Sequence, residues 1–96
     1  MNAVYRRSAN LMEADIGNEL VALDPNRGSC FGFNEVATWV WRRLERPATF
    51  DQLRDGLLAD YDVSSEQCTV ELEELLNDMA AKGLITAESH VGNKDA

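Results

Sequence analysis

At Asn34 the hydrophobic period of the chain changes from two residues to about 3.6, and no other feature constrains the fold as strongly. Upstream, "LMEADI" at 11–16 reads as a strand ending at Gly17-Asn18, a Gly-first dipeptide suited to a type II′ hairpin turn. "ELVALD" at 19–24 reads as a second strand, and its adjacent Leu20, Val21, Ala22 and Leu23 demand apolar cover on more than one face, as a central strand does. "PNRG" turns the chain, with Pro25 presetting φ and Gly28 supplying φ > 0. "SCFGF" at 29–33 is then a third strand, with Ser29, Phe31 and Phe33 on one face and Cys30 with Gly32 on the other.

Downstream, Asn34 is a suitable N-cap, Glu35 suits the positive helix end, and Val36, Ala37, Val40, Trp41 and Leu44 share a face, which predicts a helix over 34–45. Pro47 breaks it. Thr49-x-x-Gln52 has capping-box form ahead of a helix over 50–61 carrying Phe50, Leu53, Leu57, Leu58 and Tyr61. Ser64-x-x-Gln67 has the same form ahead of a helix over 65–82, with Gly83 as its C′ residue. Cys68, Leu72, Leu75, Leu76 and Met79 form its core stripe, and Glu71, Glu74 and Asp78 line up beside that stripe, either as a solvated acidic face or as a contact for something basic. Trp39 falls off the apolar face of its helix, so either a neighbouring loop half-covers it or a partner does. "LITAE" is either a short last strand or a strap. The sum is an α+β fold, a three-stranded antiparallel sheet followed by three helices, in one domain over 1–96. Residues 1–8 and a tail over 87–96 are expected to be loose around an ordered core of about 10–86.

Charge and residue types exclude several functions. Seventeen acidic against nine basic residues give a net charge of −8, and the helix over 65–82 carries Glu66, Glu71, Glu73, Glu74 and Asp78 against Lys82 alone, which argues against nucleic acid, anionic membranes and a winged-helix DNA-binding regulator. No apolar run approaches the roughly 20 residues that cross a bilayer, and a cytoplasmic location is expected. Cys30 and Cys68 stand apart and the single His90 lies in the tail, so neither a metal site nor a catalytic thiol is expected. With no phosphate-cradling glycine loop and no Ser/His/Asp set, the expectation is a non-enzyme without cofactors.

The stretch from 20 to 41 also carries a resemblance. A strand at Leu20 to Leu23, a turn with Gly28, the run Phe31-Gly32-Phe33-Asn34 entering a helix, and Val40-Trp41 later in it resemble the PqqD-like family, and a second helix, a "YDV" reset and a long third helix ending at Gly83-Leu84-Ile85 continue the similarity over about 5–86. The resemblance implies a winged-helix-like precursor-peptide recognition element that binds the leader of a ribosomally made peptide. It implies that the leader is presented to a modifying enzyme such as a radical S-adenosylmethionine enzyme, a cyclase or a protease. On that reading the leader adds as a strand to Ser29, Cys30, Phe31, Gly32 and Phe33, with Cys30 or Phe31 on the groove floor. Leu75 or Leu76 supplies an apolar contact on the third helix, and Glu71, Glu74 or Asp78 meets Lys or Arg of the leader. An open strand edge also allows a weak dimer alongside the monomer. A small docking or structural subunit of an enzyme complex is the alternative, since the same edge can pair with protein.

Overall fold

A computed structural model of the chain describes residues 3–17 and 19–89. The elements run β1 (Ala3–Arg7), β2 (Met12–Ile16), β3 (Glu19–Asp24), β4 (Ser29–Phe33), α1 (Glu35–Arg43), β5 (Ala48–Thr49), α2 (Phe50–Asp60), α3 (Ser65–Ala81) and β6 (Ile85–Ser89). The expected three-stranded antiparallel sheet is present in the order β2-β3-β4, with β3 central. The pairs Leu20↔Phe33 and Ala22↔Phe31 point one way and Val21↔Gly32 and Leu23↔Cys30 the other. Leu20, Ala22 and Phe33 join the core with Ala37, Val40, Trp41 and Leu44 of the α1 segment, Leu53 and Leu57 of α2, and Cys68, Leu72, Leu76 and Met79 of α3. The α+β class therefore holds, with both layers burying one face.

A second sheet, in the order β5-β1-β6, corrects the reading of the N-terminus as loose. Residues 3–7 form its middle strand, paired from Ala3↔Ser89 to Arg7↔Ile85 on one side and with Ala48 and Thr49 on the other. The ordered core accordingly reaches beyond 10–86, and residues 87–89 belong to β6 rather than to a tail. Five residues of mixed polarity have no legible period, and both partners of β1 lie far along the chain. Residues 90–96 lie outside the described residues, as does Asn18. Gly17 takes φ 65° at the β2–β3 hairpin, and the turn type that depends on Asn18 falls outside with it.

The helix signals are mostly realised. Asn34, Thr49 and Ser64 are N-caps, each accepting a backbone N–H three residues on. The box at Thr49 is complete, with Gln52 returning to the Thr49 N–H at 2.9 Å. The box at Ser64 is only half built, because the Gln67 amide donates to Glu71 at 2.8 Å and not back to the cap. Each helix also ends one or two residues earlier than the spacing predicted. Val36 departs from its expected place on the buried face and is 39 % exposed, since α1 begins at the edge of the packed layer. Gly83 closes α3 with φ 78°, its N–H donating to Ala80 and that of Leu84 to Met79, a Schellman pair that folds Leu84 back beneath the helix end.

Candidate functional site

β4 is an edge strand. Asp24↔Ser29 through Leu20↔Phe33 occupy one side, and among the described residues no strand pairs with the other. A row of backbone N–H and C=O groups on that side is a template for another extended chain. Beside it the C-terminal half of α3 leaves a cavity of about 150 Å³. Phe31, Gly32, Phe33, Asn34 and Ala37 line it from the strand and the start of α1, and Leu75, Asp78, Met79, Lys82 and Leu84 line it from α3 and its C-terminal turn. Asn34, Asp78 and Lys82 make its surface more polar than apolar, so it has room for one side chain of an added strand that carries a polar or charged tip.

Local structure explains the placement. Alternation on β4 turns Phe31 and Phe33 inward, opposite Ala22 and Leu20, so Phe31 and not Cys30 lies on the cavity side. Cys30 is exposed, opposite Leu23 on the outer face. A Cβ added to Gly32 would meet nothing within 4 Å, so the strand can be approached closely from that face. On α3, Leu76 and Met79 are buried while Leu75 sits half-buried on the shoulder that faces the cavity. The Schellman turn brings Lys82 across the opening, its Nζ 5.8 Å from the Phe31 ring centroid and 2.9 Å from Asp78 Oδ2. The rim is thus an ion pair set over an aromatic ring.

Of the residues singled out in the sequence, Phe31, Gly32, Phe33, Leu75 and Asp78 come together at this cavity. Ser29 pairs with Asp24 at the far end of β4, and Glu74 is exposed on α3 outside the lining. Glu71 lies about a turn below Leu75, where it lines a different cavity. Sequence reasoning missed the roles of Asn34, Ala37, Met79, Lys82 and Leu84. The spacing of Lys82, four residues from Asp78 and seven from Leu75, was a usable signal, as was the Gly83 turn for Leu84. Among the described residues no group of three or more His, Cys, Asp or Glu side chains is arranged to hold a metal ion.

Comparison with known proteins gives the family and the fold. The profile of the family described as Coenzyme PQQ synthesis protein D (PqqD) matches residues 19–85, from β3 to the start of β6. Two solved structures share the fold. TbiB1 in complex with the TbiA(beta) leader peptide is 27 % identical with a TM-score of 0.74, over 94 % of this chain and 99 % of that one. Lasso peptide synthetase B1 complexed with the leader peptide is 18 % identical with a TM-score of 0.71, over 85 % of this chain and 96 % of that one, a similarity of fold alone. No curated protein sequence matches. With well over half of its length matched by that profile, including the edge strand and both walls of the cavity, the chain belongs to the PqqD family.

Proposed function

We propose that this protein recognises the leader of a ribosomally made precursor peptide and presents it to a modifying enzyme, performing no chemistry itself. The observation that carries the proposal is the unpartnered edge of β4 running beside a side-chain-sized cavity, in a chain whose 27 % identical relative was solved in complex with a leader peptide. An extended leader pairs with the main chain of Ser29, Cys30, Phe31, Gly32 and Phe33, which gives a sequence-tolerant share of the affinity. One leader side chain enters between Phe31, Leu75 and Met79, which gives selectivity. Asp78 at the rim exchanges its Lys82 partner for a Lys or Arg of the leader, and Glu71 and Glu74 on the same helix add attraction at longer range. The modifying enzyme is of the radical S-adenosylmethionine, cyclase or protease kind.

The test is titration of isotope-labelled protein with the leader encoded beside this chain. Amide shifts should concentrate in 29–33 and the second half of α3, with a dissociation constant from nanomolar to micromolar, or roughly −12 to −8 kcal/mol. Shifts confined to α2, or no binding up to about millimolar peptide, reject the proposal. A second reading, a docking subunit, is favoured by one observation: Met12 and Ile16 on the outer face of the sheet are 59 % and 64 % exposed. Binding of the enzyme with no requirement for the leader, and no leader binding, would favour it.

A further inference from the structure

We infer that the leader carries a second anchor, an aliphatic side chain next to a Lys or Arg, three or four residues beyond its strand-paired segment, and that this anchor seats where α1, α2 and α3 meet. The inference rests on the leader-binding reading above and extends it to a site at the other end of α3. There a separate cavity of about 90 Å³ is walled by Val36, Leu57, Tyr61, Val63, Cys68 and Leu72. It is smaller than the roughly 150 Å³ that accommodates a benzene ring, which selects a Leu, Ile or Val side chain over an aromatic one. Val36 and Val63 are each 39 % exposed at its mouth, an arrangement that core packing alone does not require.

Charge gives the second half of the anchor. Glu71 lines the mouth and accepts from Gln67 at 2.8 Å, and Glu35 accepts from the Tyr61 hydroxyl at 3.3 Å. None of the lining residues is cationic, and Arg54, the cation nearest Cys68, is paired with Asp51 at 3.4 Å and Asp55 at 3.2 Å. Two carboxylates beside an apolar hole match an aliphatic residue with a basic neighbour, and they disfavour an acidic occupant or a second copy of this chain, whose net charge is −8.

Position supplies the spacing. The two cavities follow one another along α3, with Leu75, Asp78, Met79 and Lys82 at one and Cys68, Glu71 and Leu72 at the other. Their centres on the helix are about eight residues apart, or about 12 Å at 1.5 Å per residue. The start of α1 borders both, through Asn34 and Ala37 on one side and Val36 on the other. A peptide leaving β4 at the Phe33 end covers that distance in three or four extended residues of about 3.3 Å each.

A random twelve-residue peptide library displayed on phage, selected against the full chain and against the Val36→Lys, Val63→Lys variant, tests this. Both side chains already face solvent, and a thermal melt confirms that the variant is folded. Wild type should enrich a strand-pairing pattern followed at a fixed offset of three or four residues by an aliphatic-basic pair, and the variant should keep the first pattern and lose the second. Replacing the aliphatic anchor by Ala in a selected peptide should weaken binding to wild type about tenfold and leave binding to the variant unchanged. A Val63→Gln variant, neutral and less disruptive, should lose the same preference in part. Enrichment of the strand pattern without a second anchor, or an anchor that survives both variants, overturns the inference and leaves leader binding standing. No enrichment of any strand pattern overturns leader binding and this inference together.

Discussion

Trp39 is held between α1 and α2. Off the apolar face of α1, it is covered by α2 rather than by a loop, with its indole N–H donating to Asp60 at 2.6 Å and its ring over Gly56. A Cβ on Gly56 would lie 2.7 Å from Trp39 Cη2 and 2.9 Å from Cζ2, so this glycine in mid-helix makes room for the ring. Gly56→Ala gains up to about 1 kcal/mol of helix propensity but overpacks at a cost of about 1–3 kcal/mol. A net loss near 1 kcal/mol in urea unfolding is expected, reversed when Trp39→Leu is added. A net gain in the single variant would mean that the indole is not held between the helices. The two cysteines differ in the same local way. Cys30 is exposed and Cys68 buried; burial pushes the Cys68 thiol up, with Arg54 pulling back and Glu71 adding to the rise. Since the thiolate is the nucleophile, a raised thiol is less reactive at any given pH. With an aromatic disulfide reagent at about pH 8, one equivalent should react quickly and the second only as urea unfolds the chain. Two fast equivalents would contradict the burial of Cys68. The burial of Cys68 was legible because it lies on a helical stripe with Leu72, Leu76 and Met79, whereas nothing near Gly56 in the sequence points to a residue 17 positions earlier.

Among the elements, those whose signals are local were legible and those whose partners are distant were not. Asn34, Thr49 and Ser64 cap helices because the groups they satisfy lie three residues on. β3 shows itself as central because Leu20 to Leu23 are apolar in succession. β1 shows nothing of the kind, yet it is the middle of a sheet and is tied to α1 by Arg7, whose Nε donates to the Trp41 carbonyl at 3.0 Å while the guanidinium lies 4.4 Å from the indole centroid and pairs with Glu13 at 3.3 Å. Arg7→Ala should lower stability by about 1.5–3 kcal/mol, the range for hydrogen bonds to charged groups. Urea unfolding monitored by Trp fluorescence checks this; no change in midpoint would show that β1 is not held through this contact. On α3 the division of labour runs between neighbouring positions. Met79→Ala should cost about 2–5 kcal/mol of stability, as buried truncations do, which circular dichroism with urea measures directly. Leu75→Ala, on the half-exposed shoulder, should leave stability within about 1 kcal/mol and weaken leader binding in calorimetry. Glu74→Ala, outside the cavity lining, should change neither by much. Equal effects of Leu75→Ala and Glu74→Ala on binding would mean that the leader does not enter beside β4. The stripe on α3 was visible in the sequence; which shoulder of it faces the strand was not, because that depends on how α3 is set against β4, and the Gly83 turn helps decide it.

At the scale of the whole molecule, the open edge of β4 and the net charge of −8 act against one another. An unpaired edge invites a second copy to add to it, and a chain with this excess of carboxylates repels its like. Lys82 and Asp78 beside the edge neutralise each other locally, so the repulsion comes from the molecule as a whole and is screened over a Debye length of about 8 Å at physiological salt. Self-association through β4 should therefore be weak in dilute buffer and should strengthen as salt rises, opposite to the behaviour of a contact built on ion pairs. Leader binding carried by a basic segment meeting the acidic face should weaken over the same salt range. On the proposed mode of leader binding both use one edge and exclude each other, so saturating leader should return a concentrated sample to monomer. Sedimentation equilibrium at two salt concentrations, with and without the leader encoded beside this chain, measures both effects at once. A tight dimer at nanomolar concentration that leader does not dissociate and that blocks leader binding would mean that the β4 edge is not free for a ligand, whereas a dimer that binds leader without dissociating would place the self-contact elsewhere on the surface.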